Sequence, residues 1–313
     1  MAATSTDAAH ARMWESSVPV VAFGNPVASH AMMAFSAFGL SSTTCPENTA
    51  YDFQATAELH YCQSLEYLRA SLPDLGQNSA DAVLACAMVL IPCGLALARS
   101  NTHGKPLSDW LYHLRGFRAL GSAIYGWKSL AKPADQLIPY PQKGIPDAEL
   151  HDTNLGGGAL WGPGALLFHR VRRSRRDAIQ SLQAAIDESD IRADVADTEV
   201  CAAAITALEY VMNYTLDSRV SNFFRAVFTW PSYVSPRYVE LLMCGDPLAL
   251  AIYAHWLVLT MLLEDLWWVG DFGSCRIEKL ASWDELSNSP YSQLLAWPVR
   301  MRTEWRGIRT RCQ

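Results

Sequence analysis

Two long apolar stretches limit what this chain can become. Ala82 to Ala98 runs for 17 residues without a polar side chain, and Leu248 to Leu263 runs for 16 with only His255 and Thr260 interrupting it. Both fall short of the roughly 20 residues needed to cross a bilayer, and the first contains Pro92 and Gly94. A helix that is apolar on every side has to be surrounded by other elements. The rest of the chain must therefore supply helices or sheets that cover these two, and no membrane span is expected.

The covering elements read as helices. In Gln54 to Leu72, Tyr61, Leu65, Leu68 and Leu72 repeat at four, three and four, and Pro73 stops the pattern. Ser79 caps the first apolar run. Ser108 opens a helix in which Trp110, Leu114, Phe117, Gly121 and Ile124 share a face. Helical order returns over Asp177 to Ser189 and after Asp197, where Val200, Ala204, Ala207, Val211 and Tyr214 form a stripe. Ser235-Pro236 and Asp246-Pro247 each place a capping side chain before a proline whose missing N–H costs nothing at the first helical position. Ser282 and Glu285 have capping-box spacing. Strand signals are nearly absent, so the expected architecture is all-α, a single domain of roughly nine to eleven helices around an apolar ligand pocket. Residues 1–18 read as a flexible N-terminus and 19–313 as the domain. Within it, 128–176 is a long loop or insertion rich in Gly, Pro and Arg.

Function classes can be excluded by composition. The 313 residues are 50% hydrophobic with a formal net charge of −6, which argues against a chain that works by neutralising phosphates, so no direct nucleic-acid partner is expected. The eight cysteines show no zinc-ligand spacing and read as reduced thiols, and no metal or cofactor is expected. The acidic clusters Asp187 to Asp190 and Asp194 to Glu199 lack the spacing of a magnesium-diphosphate site. Gly156 to Gly158 follows no strand, and Asp271-Phe272-Gly273 lacks the companions of a kinase motif. Arg170, Arg172, Arg173, Arg175 and Arg176 read as a solvated helix start, with an acidic partner or a phosphate as the alternative.

Two signals remain. His255, inside the second apolar run, is the first polar candidate, set against a hydrogen-bonded core histidine. The aromatic content is the other: eleven tryptophans, with Trp256, Trp267 and Trp268 close together, can tile an apolar cavity whose shape Met243 and Met261 adapt, or can simply fill a large core.

The order of the segments adds a resemblance. VFTWPSYVSPRYVELLMCGDPLALAIYAHWLVLTMLLEDLWWVGDFG, Val227 to Gly273, resembles the C-terminal part of the ligand-binding domain of fungal transcription factors of the sterol uptake control type. HAMMAFSAFGLSS, ELHYCQSLEYLRASL, DAVLACAMVLIP and DWLYHLRGFRAL follow the same family order. The resemblance implies an all-α fold holding a sterol-like ligand. Ala254-His255-Trp256 and Trp267-Trp268 fall on the family motif, and the candidate ligand-binding residues are Met243, Tyr253, Trp256, Met261, Trp267, Trp268 and Asp271, with His255 as the catalytic handle if there is turnover. Those regulators begin with a six-cysteine zinc cluster, which these cysteines cannot build. The leading expectation is accordingly a cofactor-free cyclase or isomerase of fungal secondary metabolism, of the pericyclase or Diels-Alderase type, acting on a terpenoid, sterol-like or polyketide substrate in the cytoplasm. The alternative is a nuclear, ligand-sensing regulator, and a carrier without turnover is a third. A homodimer is left open.

Overall fold

The computed structural model describes residues 13–43, 51–100, 110–127, 163–188, 195–217 and 223–312. Among these residues there are thirteen α-helices and no strand, so the all-α expectation is met. The count exceeds nine to eleven because helices such as Val18–Phe23 and Asp284–Ser287 are too short for periodicity to register. The expected flexible N-terminus falls partly outside the described residues; Met13–Ser17 forms a π-helical turn. The chain divides into two compact units.

The first unit contains α1 (Val18–Phe23), α2 (Pro26–Thr43), α3 (Phe53–Ser71), α4 (Gln77–Ser100) and α5 (Trp110–Trp127), together with the segment Leu266–Gly270. Small residues bring its helices together. Ala28, Ala31, Ala34 and Ala37, three residues apart along α2, are all buried, which lets α3 and α4 pack closely against it. Asp52 starts α3 by accepting the Ala55 N–H at 2.9 Å. The stretch Ser79–Arg99 of α4 is long and apolar enough to cross a membrane by composition, but 89% of its most apolar window is buried, so it serves as the core helix of the unit. Trp267 packs its ring on Phe35, centroids 5.0 Å apart, and over Gly39, while its carbonyl accepts from Arg99. Gly270 sits at φ +49° where a Cβ would run into the Arg99 guanidinium, so both the dihedral and the space require glycine.

The second unit contains α6 (Pro163–Glu188), α7 (Val195–Asp217), α8 (Phe223–Tyr233), α9 (Pro236–Cys244), α10 (Pro247–Met261), α11 (Phe272–Ala281), α12 (Asp284–Ser287), a 3-10 turn at Ser292–Leu295 and α13 (Ala296–Cys312). Its axis is α10, in which every residue from Leu248 to Met261 is buried. The two proline starts behave as expected: Ser235 accepts from the Tyr238 N–H at 3.1 Å and Asp246 from the Ala249 N–H at 2.8 Å. Gly245, at φ +85°, closes α9 so that α9 and α10 meet at 104°.

Three local expectations change. Helix α4 begins at Gln77, so the expected cap Ser79 lies inside its first turn, where its hydroxyl accepts the Gly76 N–H at 3.1 Å. Helix α6 begins at Pro163, not near Asp177, because Leu167, Val171, Arg175, Ala178 and Leu182 lie on one buried face that continues through the arginine run. The loop or insertion expected over 128–176 is thus helical from Pro163 on, and residues 128–162 lie outside the described residues. The expected capping box at Ser282 and Glu285 does not form. Ser282 is the C-cap of α11 and donates its hydroxyl to the Lys279 carbonyl at 3.0 Å, leaving Trp283 to precede α12.

Candidate functional site

The residues singled out in the C-terminal third fall into separate places. Tyr253, His255, Trp256 and Met261 are on α10, each at most 1% exposed. Met243 is half-buried on α9 and Asp271 is exposed ahead of α11. Trp267, half-buried, and Trp268, buried, belong to the first unit. Tyr253 and Trp256 come together in ring contact: Trp256 stacks with Tyr253 at 5.5 Å and with Trp230 at 5.6 Å, and Phe228 meets it edge-on at 5.7 Å. The indole N–H groups are spent on backbone, Trp256 on the Val227 carbonyl at 2.8 Å and Trp230 on the Ala204 carbonyl at 2.9 Å. These rings fill a core in the conformation seen.

His255 packs flat on Trp297 at 5.2 Å, with its Nδ1–H directed at the Ala251 carbonyl at 2.8 Å, one turn back on its own helix. Burial pushes its pKa down to about 4 against the small opposing effect of that hydrogen bond. At neutral pH the ring is uncharged, and Nδ1 has no proton to offer a substrate.

A buried carboxylate that the sequence reading passed over lies just beyond α10. Glu264 is 4% exposed. It accepts from the Ser274 backbone N–H at 2.7 Å and from the Trp305 indole at 2.6 Å, with the Arg309 guanidinium 3.8 Å away. It therefore fastens the first turn of α11, where the helix dipole favours negative charge, to the middle of α13. Burial still dominates and pushes its pKa up to about 7, opposed by these donors. Only its place between two leucine-rich turns and a tryptophan pair, LLEDLWW, hinted at burial.

Open apolar space is found in the first unit. A groove of about 550 Å³ has α2 as its floor, through Met32, Met33 and Leu40, with Phe23 of α1 on one wall and Tyr51 and Phe53 on the other. Several of these side chains face solvent: Phe23 is 91% exposed, Tyr51 60% and Leu40 48%. Two hydroxyls along the groove turn back to backbone, Ser36 to the Met32 carbonyl and Thr56 to the Asp52 carbonyl, both at 2.9 Å.

His60 supplies the imidazole of the lining. Its Nδ1 pairs with His30 Nδ1 at 2.9 Å, one ring donating to the other, and His30 stacks on Tyr67 at 5.3 Å. Burial, together with the neighbouring His60, lowers the His30 pKa. Among the described residues no hydrogen bond occupies His60 Nε2. His60 falls within the helix that the sequence predicts over Gln54 to Leu72. The pattern that could have found the groove is Met33, Ser36 and Leu40 at i, i+3 and i+7, a second stripe on α2 opposite the alanines.

Groove and histidine pair lie between residues 19 and 67, inside a segment that matches a known domain. Residues 9–134 match the fungal specific transcription factor domain. The chain is also similar to Sterol uptake control protein 2 of Candida albicans, 24% identical over 244 residues, which is 77% of this chain and 32% of that protein. It is similar to Sterol uptake control protein 2 of Saccharomyces cerevisiae, 24% identical over 241 residues, 75% of this chain and 23% of that protein. The chain thus spans no more than about a third of the length of these relatives. The resemblance read from Val227 to Gly273 and the earlier segments is borne out at the level of this regulatory domain type.

Proposed function

We propose that the chain is a regulatory domain of the fungal transcription-factor type that responds to an apolar ligand, and that the ligand seats in the groove of the first unit. The observation that carries this reading is the position of an apolar groove within the segment that matches the fungal specific transcription factor domain. Its volume of about 550 Å³ lies within the roughly 300–1,000 Å³ usual for small-molecule pockets. Met32 and Met33 adapt to the guest's outline, Phe23, Tyr51 and Phe53 supply flat contact, and His60 Nε2 meets one hydroxyl or carboxyl at its end. Both relatives are named for control of sterol uptake, which makes a sterol the first ligand to test. Under this reading the chain works in the nucleus.

A second seat among Tyr253, Trp256 and Met261, with Met243, Trp267, Trp268 and Asp271 near it in sequence, would require fully packed rings to part, so first contact is assigned to the groove. The cyclase reading has no support from the relatives, and a neutral His255 supplies no acid.

Binding of a fluorescent sterol to the purified chain tests the proposal. Met33 and Leu40 are 41% and 48% exposed, so Met33→Lys with Leu40→Lys leaves the fold intact while bringing two charges into the groove. The expected result is affinity lower by at least about tenfold, because an ammonium held against an apolar guest loses hydration. Equal affinity in the double variant removes the groove from the account.

A further inference from the structure

The arginine run has an arrangement of its own in the second unit. On α6 the helical repeat gathers His169, Arg172, Arg173 and Arg176 on one face, at i, i+3, i+4 and i+7. Arg175 lies on the inward side of this cluster. It is 6% exposed, with its Nε donating to Asn213 at 3.1 Å and its terminal nitrogens donating to the Arg172 carbonyl and the Asp217 carboxylate. Arg172 also reaches Asp217, through Nε at 3.2 Å. Two guanidiniums therefore answer the one carboxylate. Among the described residues no hydrogen bond or ion pair holds Arg173 or Arg176. These side chains, with His169, surround a concavity of about 380 Å³ at the face α6 shares with the end of α7.

On a solvated helix face the charges diverge into water and each is matched by a counterion or a neighbour. Here the surplus positive charge lines one shallow, open concavity, and its base is fixed by the buried Arg175 guanidinium, held by Asn213 and Asp217. Guanidinium forks match the oxygens of a phosphate, which accepts two parallel N–H bonds from each. We propose that this concavity binds a phosphate group, carried by a small organic phosphate or free in solution, with Arg173 and Arg176 as its direct ligands, Arg172 beside them and His169 at the rim. An extended nucleic-acid backbone fits less well, because the chain carries a net charge of −6. The inference is independent of the ligand assigned to the first unit.

The test is calorimetric titration of the full chain with inorganic phosphate, pyrophosphate and glucose 6-phosphate, against sodium chloride at matched ionic strength, and repeated with Arg173→Gln plus Arg176→Gln. Both arginines are exposed, so the double variant keeps the circular dichroism and melting curve of the parent. The expected result is saturable binding of at least one phosphate compound, about tenfold or more weaker in the double variant. The compound bound most tightly identifies the source of the phosphate. In the parent protein the His169 ring resonance moves with the same midpoint, a readout that needs no variant. Heats equal to those of chloride, or unchanged in the double variant, overturn the proposal. Duplex DNA bound more tightly than any of the phosphates and released by the same substitutions overturns it in favour of a nucleic-acid face.

Discussion

His255 and Glu264 stand nine residues apart in the second unit and titrate against each other. The folded-state pKa of His255, about 4, is below the ordinary 6.5, so its contribution is complete above pH 6.5 and is lost as pH falls toward 4. That of Glu264, about 7, is above the ordinary 4.5, so its contribution is complete below pH 4.5 and is lost as pH rises through 7. Each shift corresponds to about 3 kcal/mol across its window. Between pH 4.5 and 6.5 the two slopes oppose and nearly cancel. Chemical denaturation at several pH values measures this: relative to the parent, His255→Phe loses stability as pH rises across that range, and Glu264→Gln gains it. Parallel curves for all three proteins would show that neither group is held as described. His255 was visible in the sequence as an isolated polar residue in an apolar helix. Glu264 was not, because a glutamate at the end of an apolar run looks like the run's exit into water, and only the placement of Ser274 and Trp305 shows that it is enclosed.

At the scale of elements, α10 and α11 are packed tightly at Gly273. A Cβ at Gly273 would lie 2.7 Å from the Leu257 carbonyl oxygen and 2.9 Å from Met261 Cγ, and a backbone oxygen has little room to yield. This accounts for the glycine of Asp271-Phe272-Gly273, a tripeptide whose kinase likeness is coincidental. Gly273→Ala is expected to destabilise the chain by about 1–3 kcal/mol, as overpacking of a fitted core does. Gly307→Ala, on α13 where an added Cβ meets nothing within 4 Å, is expected to be neutral or to stabilise by up to about 1 kcal/mol. Urea midpoints separate the two, and equal midpoints would contradict the close approach. Helix starts were legible wherever capping chemistry is local, as at Ser235 and Asp246. The start of α6 was hidden because its inward position at Arg175 carries a guanidinium, which the apolar template counts as a break although Asn213 and Asp217 satisfy it. Ser282 misled in the opposite sense, since one serine has the composition for either end of a helix and here closes α11.

Over the whole molecule, the class of fold was written in the two apolar runs and the regulatory resemblance in the order of the segments, but the place of the ligand was not. Tryptophans drew attention to the C-terminal third, where Trp230, Trp256 and Trp305 are 1% exposed or less and complete a core. The groove depends instead on α1, α2 and the start of α3 converging, and its lining comes from residues such as Phe23, Met33, Leu40 and Tyr51 that no single periodicity joins. The most direct measurement is photo-crosslinking of a diazirine-bearing sterol to the purified chain, followed by peptide mapping of the labelled residues. The account predicts labels between residues 19 and 60, on Met32, Met33 or Tyr51, suppressed by excess unlabelled sterol. Labels confined to residues 230–268, or labelling that unlabelled sterol does not suppress, would contradict it.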